Sequence, residues 1–134
     1  MSKDLSKFDA ATVALIWERD RGRCVKCGKY LHGERGYAWS IQHRKARYMG
    51  GAKWDSARGS AANGILFCGN GTQGCHGWVE ANPDEARENG WSIYRAEAPE
   101  DIAVNHAVHG RVFLEIDGTY IEAGERRERS WFPF

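Results

Sequence analysis

Apolar residues recur at helical spacing in one early segment of the chain, where Val13, Ile16 and Trp17 form an i, i+3, i+4 stripe. The spacing predicts an amphipathic helix from about Asp9 to Arg21, with Asp9 as N-cap and Gly22 as its stop. The period then shortens to two: Tyr37, Trp39 and Ile41 alternate with Ala38, Ser40 and Gln42, which predicts a half-buried strand with His43 at its end. Residues 44–62 have no period and are basic and rich in glycine and alanine, a long loop of the kind that usually carries function. Ile65-Leu66-Phe67 reads as the second strand of a hairpin. A helix from about Cys75 to Asn82 follows, with Pro83 opening a continuation to Asn89 and Gly90 closing it.

Beyond Gly90 the character changes. Arg111 to Ile116 and Thr119 to Ile121, joined by Asp117-Gly118, carry a hairpin signal. Gly124 to Ser130 is a charged stretch, and the apolar end Trp131-Phe132-Pro133-Phe134 is expected to fold back onto the body. The remaining tryptophans read as core. Together these elements predict an α+β fold in one compact unit: residues 1–90 form the body, and residues 91–134 form an acidic annex of hairpin and tail.

The cysteines change this picture most. All four fall into two pairs, Cys24-Val25-Lys26-Cys27 and Cys68 to Cys75, and the glycines around them (Gly28, Gly69, Gly71, Gly74) let the backbone curl as a metal knuckle requires. Four thiolates in two closely spaced pairs predict a structural tetrahedral zinc site, with disulfides as the alternative. A mean hydropathy of -0.63 implies a small core, for which a metal staple compensates. No apolar run approaches the length of a membrane span and Met1-Ser2-Lys3-Asp4 opens no signal-peptide core, so a reducing cytoplasm is the expected location.

The net charge of +1 hides an asymmetry: residues 1–79 hold 13 Lys+Arg against 6 Asp+Glu, and residues 80–134 hold 6 against 12. A basic region of this kind is a footprint for phosphate. Arg44, Lys45, Arg47, Lys53 and Arg58 in the long loop are the expected DNA-backbone contacts. Tyr48 and Trp54 beside them read as packing residues, and His106 and His109, far from any cysteine, read as non-ligating.

Strand, His43, loop, strand, cysteine knuckle, His76 and helix, in that order, resemble the HNH endonuclease family in its four-cysteine form, most of all the small HNH proteins of tailed bacteriophages. The segments that carry the likeness are Ser40-Ile41-Gln42-His43-Arg44, Asn63-Gly64-Ile65-Leu66-Phe67-Cys68 and Cys75-His76-Gly77-Trp78-Val79-Glu80, within residues 20–82. The resemblance implies a ββα-metal core, DNA hydrolysis to 5′-phosphate and 3′-hydroxyl ends, and a place beside the terminase of a packaging machine. It also implies that His43, Asn63 and His76 are the catalytic residues.

The chemistry of these side chains agrees with those roles. A neutral imidazole at His43 suits a general base, and Asn63 can pin the loop so as to orient it. His76 can carry one divalent ion (Mg²⁺, Mn²⁺ or Ni²⁺), with Glu80 four residues on along the same helix face as a second ligand. Gln42 stands where many family members have Asp or His, which makes a weak neutral ligand of it. The competing expectation is a zinc-ribbon-like module that binds nucleic acid or protein without cutting.

Overall fold

The computed structural model describes residues 5, 7–46 and 56–125. It is a small α+β fold with two antiparallel sheets and a few helices. Helix α1 is Ala10–Arg19, capped by Asp9, whose carboxylate accepts from the Thr12 amide at 2.8 Å. Its end lies two residues before the expected Arg21. Arg21 itself adopts φ 61°, and the Gly22 amide returns to Trp17 O at 3.0 Å in a Schellman-type close.

Strands β1 (Trp39–His43) and β2 (Gly64–Cys68) pair antiparallel, with His43 opposite Gly64 and Trp39 opposite Cys68. Helix α2 (Gly74–Ala81) follows, then α3 (Pro83–Glu88), with Asn82 breaking the two apart where a continuation was expected. The predicted half-buried alternation of the first strand does not occur. Ser40, Ile41 and Gln42 are all buried, and Tyr37 lies outside the strand and is 77% exposed. Both faces of the hairpin are covered. On one, Trp39 and His43 meet Trp17 and Phe8, and on the other Ser40 and Gln42 meet His76 of α2 and Trp91.

The C-terminal half holds one strand more than its hairpin signal predicts. Strands β3 (Val104–His106), β4 (Gly110–Leu114) and β5 (Tyr120–Glu122) form a three-stranded antiparallel sheet. The Cys24–Cys27 knuckle joins the two sheets: the Val25 amide donates to Leu66 O at 2.8 Å and the Ala107 amide donates to Val25 O at 2.7 Å. Trp91 is core as expected, but Trp17 is 36% exposed at the edge of the α1 stripe, whose buried member is Ile16. Among the described residues no helix is long and apolar enough to cross a membrane. The terminal Trp131–Phe134 segment, Tyr48 and Trp54 lie outside the described residues.

A buried charge network closes the molecule beneath β2. Arg19 grips Asp20 through Nε and Nη2 at 2.8 and 3.0 Å and donates to Ala61 O and Gly64 O at 2.7 and 2.6 Å. Asp20 also accepts from the Leu66 amide at 3.1 Å and pairs with His106 Nε2 at 2.8 Å. Because His106 Nδ1 accepts from the Val108 amide, its ring proton sits on Nε2 and faces Asp20. Burial alone would raise the Asp20 pKa, but the Arg19 charge and the hydrogen bonds from His106 and Arg19 outweigh it and hold the carboxyl below its ordinary value.

Candidate metal cluster and histidine cavity

Cys24, Cys27, Cys68 and Cys75 bring their four Sγ atoms within 4.8 Å of one another, a cluster that could hold a metal ion. Cys27 Sγ and Cys68 Sγ are 3.9 Å apart, far beyond a disulfide bond and close to the ~3.8 Å edge of a tetrahedron built on ~2.3 Å metal–sulfur bonds. Backbone geometry makes the approach possible. Gly69 has φ 80°, and a Cβ there would lie 2.1 Å from Gln73 O, so only glycine lets the chain turn from Cys68 back to Cys75.

The thiols do not share one ionisation behaviour. Burial and the charge of neighbouring Cys24 push the Cys75 thiol far up, and burial also raises Cys24. Cys27 is exposed, and what desolvation it has is outweighed by hydrogen bonds from the Lys29 backbone and the surrounding thiols, which lower its pKa. Four thiolates so close are compatible only with a cation among them. The donor set therefore fits a thiophilic divalent ion.

His43 and His76 line one cavity of about 450 Å³ together with Gln42, Glu80 and Arg87. The first histidine, at the end of β1, is half-buried and stacks on Phe8 with ring centroids 4.2 Å apart. Opposite it in the ladder, Gly64 leaves room for that stack, since a Cβ there would meet Ile16 Cδ1 at 2.5 Å and Phe8 Cζ at 2.8 Å.

His76 is oriented by Ser40. The Ser40 hydroxyl lies 2.9 Å from Gly69 O and 2.5 Å from His76 Nδ1. A carbonyl can only accept, so the hydroxyl proton goes to Gly69 O and the hydroxyl oxygen accepts from His76 Nδ1–H. That tautomer leaves Nε2 unprotonated, 3.7 Å from Glu80 Oε1 one helical turn on. Burial lowers the His76 pKa below 6.5, partly offset by Glu80, which keeps the ring neutral at physiological pH. Ser40→Ala should free the ring and let its Nδ1–H and Nε2–H tautomers exchange, with little change in melting temperature. The ring-nitrogen NMR shifts of His76 test this, and a variant that keeps the Nδ1–H form would remove Ser40 as the orienting group.

Asn63 is fully buried and holds both roots of the long loop. Its Oδ1 accepts from the Lys45 amide at 2.7 Å, and its Nδ2 donates to Lys45 O at 3.1 Å and Arg58 O at 2.9 Å. The Arg44 amide donates to Asn63 O at 2.8 Å, which extends the clamp to the residue after His43.

The expected phosphate contacts fare differently. Arg44 is fully buried, with its guanidinium spent on Gly90 O, Ala62 O, Pro99 O and Ile102 O at 2.7–2.9 Å, so it props up the interior and offers nothing to a phosphate. Burial and the nearby Arg19 charge pull its pKa down to about 9, against opposing fields from Glu97 and Glu100. Arg58 is 6% exposed and donates to Ala46 O at 2.8 Å, again an internal tie. Lys45 is half-buried at the loop root, and Arg47 and Lys53 lie outside the described residues. Gln42 is buried, its Nε2 turned toward Trp91 O at 3.4 Å.

Sequence reasoning missed Ser40 and Arg87. The two-residue period of β1 was the available signal for Ser40, since it puts Ser40 and Gln42 on the α2 face. Arg87 had no such signal, because the break at Asn82 redirects α3. A scan against protein-family models, a search of curated proteins and a search of solved structures each returned no match.

Proposed function

We propose that this protein is a metal-dependent endonuclease of HNH type, which hydrolyses DNA phosphodiester bonds within a ββα-metal arrangement of β1, β2 and α2. The cavity shared by His43, His76, Gln42 and Glu80 is the observation that carries this reading. In it, the four-cysteine cluster holds zinc as a structural ion, and a reducing cytoplasm keeps its thiols available. DNA is the partner. A place beside the terminase of a phage packaging machine rests on the family resemblance alone.

His43, held by Phe8 and by the Asn63 clamp on the residues after it, takes a proton from the attacking water. His76 and Glu80 have ligand atoms 3.7 Å apart, less than twice a metal–ligand bond of about 2.1 Å, so both fit one ion, with Gln42 as a weaker neutral donor. A divalent ion there (Mg²⁺, Mn²⁺ or Ni²⁺) would neutralise charge on a phosphate oxygen and on the departing 3′ oxygen. The lowered His76 pKa and the Ser40 hydrogen bond keep Nε2 available to such an ion. The products are 5′-phosphate and 3′-hydroxyl ends.

Plasmid nicking tests the reading. The wild type should nick supercoiled DNA with at least one of Mg²⁺, Mn²⁺ and Ni²⁺, and His43→Ala should be slower by about 100-fold or more. If both proteins bind DNA yet are equally inert with every metal, the zinc-ribbon-like binding module replaces the nuclease.

A further inference from the structure

With Arg44 and Arg58 turned inward, the histidine cavity has, among the described residues, one guanidinium on its wall: Arg87, from the last turn of α3. Its commitments are few. Nη1 lies 3.4 Å from Asp84 Oδ1, a long contact to a carboxylate that is 94% exposed. Among the buried side-chain polar atoms of the described residues, Arg87 Nε is the one without a hydrogen-bond partner. Arg44 spends three of its nitrogens on four carbonyls, whereas Arg87 keeps most of its donors in hand.

Its position is nonetheless held. The guanidinium carbon sits 4.5 Å from the centroid of the Tyr94 ring, a cation–π contact that fixes the plane of the fork. A planar fork with unused donors, beside two histidines in a concave site, matches the oxygens of a phosphate. Glu80 lines the same cavity and opposes an anion, so a phosphate entering it needs a fixed cation as counterweight.

We propose that Arg87 is the phosphate-binding residue of this cavity, gripping a non-bridging oxygen of the phosphodiester while His43 and His76 address the reacting bond. The identity of the ligand as a nucleic-acid phosphodiester rests on the nuclease reading, but the anion site itself does not. Tyr94, 59% exposed, is the residue that positions the fork.

The imidazole resonances of His43 and His76 in the metal-loaded full chain, titrated with inorganic phosphate, report the site directly. The wild type should show a saturable shift. Arg87→Gln should weaken phosphate by about ten-fold or more, and Arg87→Lys, which keeps the charge and loses the fork, by less. Arg111→Gln, on β4 and away from the cavity lining, should behave as wild type. In cleavage assays Arg87→Gln should raise KM more than it lowers kcat.

Wild-type phosphate affinity in Arg87→Gln, or no saturable response in the wild type, overturns the proposal. A wild type that nicks with no metal, yet binds phosphate through Arg87, removes the nuclease reading and leaves the anion site standing. Arg87 is half-buried at the end of a short helix, and Arg87→Lys provides a folded comparison should the glutamine variant melt early.

Discussion

Arg44→Ala is expected to destabilise the protein by about 4 kcal/mol or more, enough to unfold much of it at 37 °C. The substitution acts through buried hydrogen bonds. It strips donors from the carbonyls of Gly90, Ala62 and Pro99, in a buried setting where water cannot replace them, and from that of half-buried Ile102. Each orphaned carbonyl costs on the order of 1–3 kcal/mol, and the vacated guanidinium volume adds a cavity. Arg44→Lys should recover little, because one ammonium cannot span four acceptors set out for a planar fork. Urea denaturation of the two variants is the measurement. If Arg44→Ala instead melts with the wild type and loses only DNA affinity, the arginine faces phosphate after all.

Loss of the metal proposed for the four-cysteine cluster is expected to have a larger effect. Cys27→Ser, or chelation of the wild type, should abolish cooperative thermal unfolding and near-ultraviolet circular dichroism, since a structural zinc site contributes on the order of 10 kcal/mol. The cause is where the knuckle lies. Val25 bonds to Leu66 on one side and to Ala107 on the other, so the turn that presents Cys24 and Cys27 also spaces the two sheets. Without a cation, burial and mutual repulsion keep Cys24 and Cys75 protonated, and nothing draws the knuckles together. Metal analysis should find one equivalent of zinc in the wild type and none in the variant. A Cys27→Ser protein that melts normally without bound metal would remove the staple.

What could be read in the residues depended on how local each cause was. The Asp9 cap, the α1 stripe, the knuckle glycines and the Asp117-Gly118 turn act within a few residues, and the elements they predict are present. The four cysteines were legible as a set because thiol pairs have few other uses in one chain. Burial of both hairpin faces was not legible, because the covering groups, Phe8 and Trp91, lie 35 and 48 residues from His43. Arg44 reads as a loop cation in any local window, and the four carbonyls that claim it come from residues 62–102. Strand β3 escaped for a related reason: three residues without a turn signal become a strand only when Gly110–Leu114 pairs with them.

The buried Arg19–Asp20–His106 network also bears on the order in which the chain can settle. During synthesis Arg19 and Asp20 leave the ribosome before the groups that pair with them: His106 pairs with Asp20, and the Arg19 carbonyl accepts from His109 Nε2 at 2.6 Å. Until those residues have been made, a carboxylate meant for the interior lacks its histidine, and Arg44 waits on Pro99 and Ile102. A fragment ending near residue 90 would therefore carry every cysteine and both cavity histidines and still be unable to close over them. The sheet of β3, β4 and β5 serves as the latch, and ordering of the cavity is expected to wait until those strands have been made.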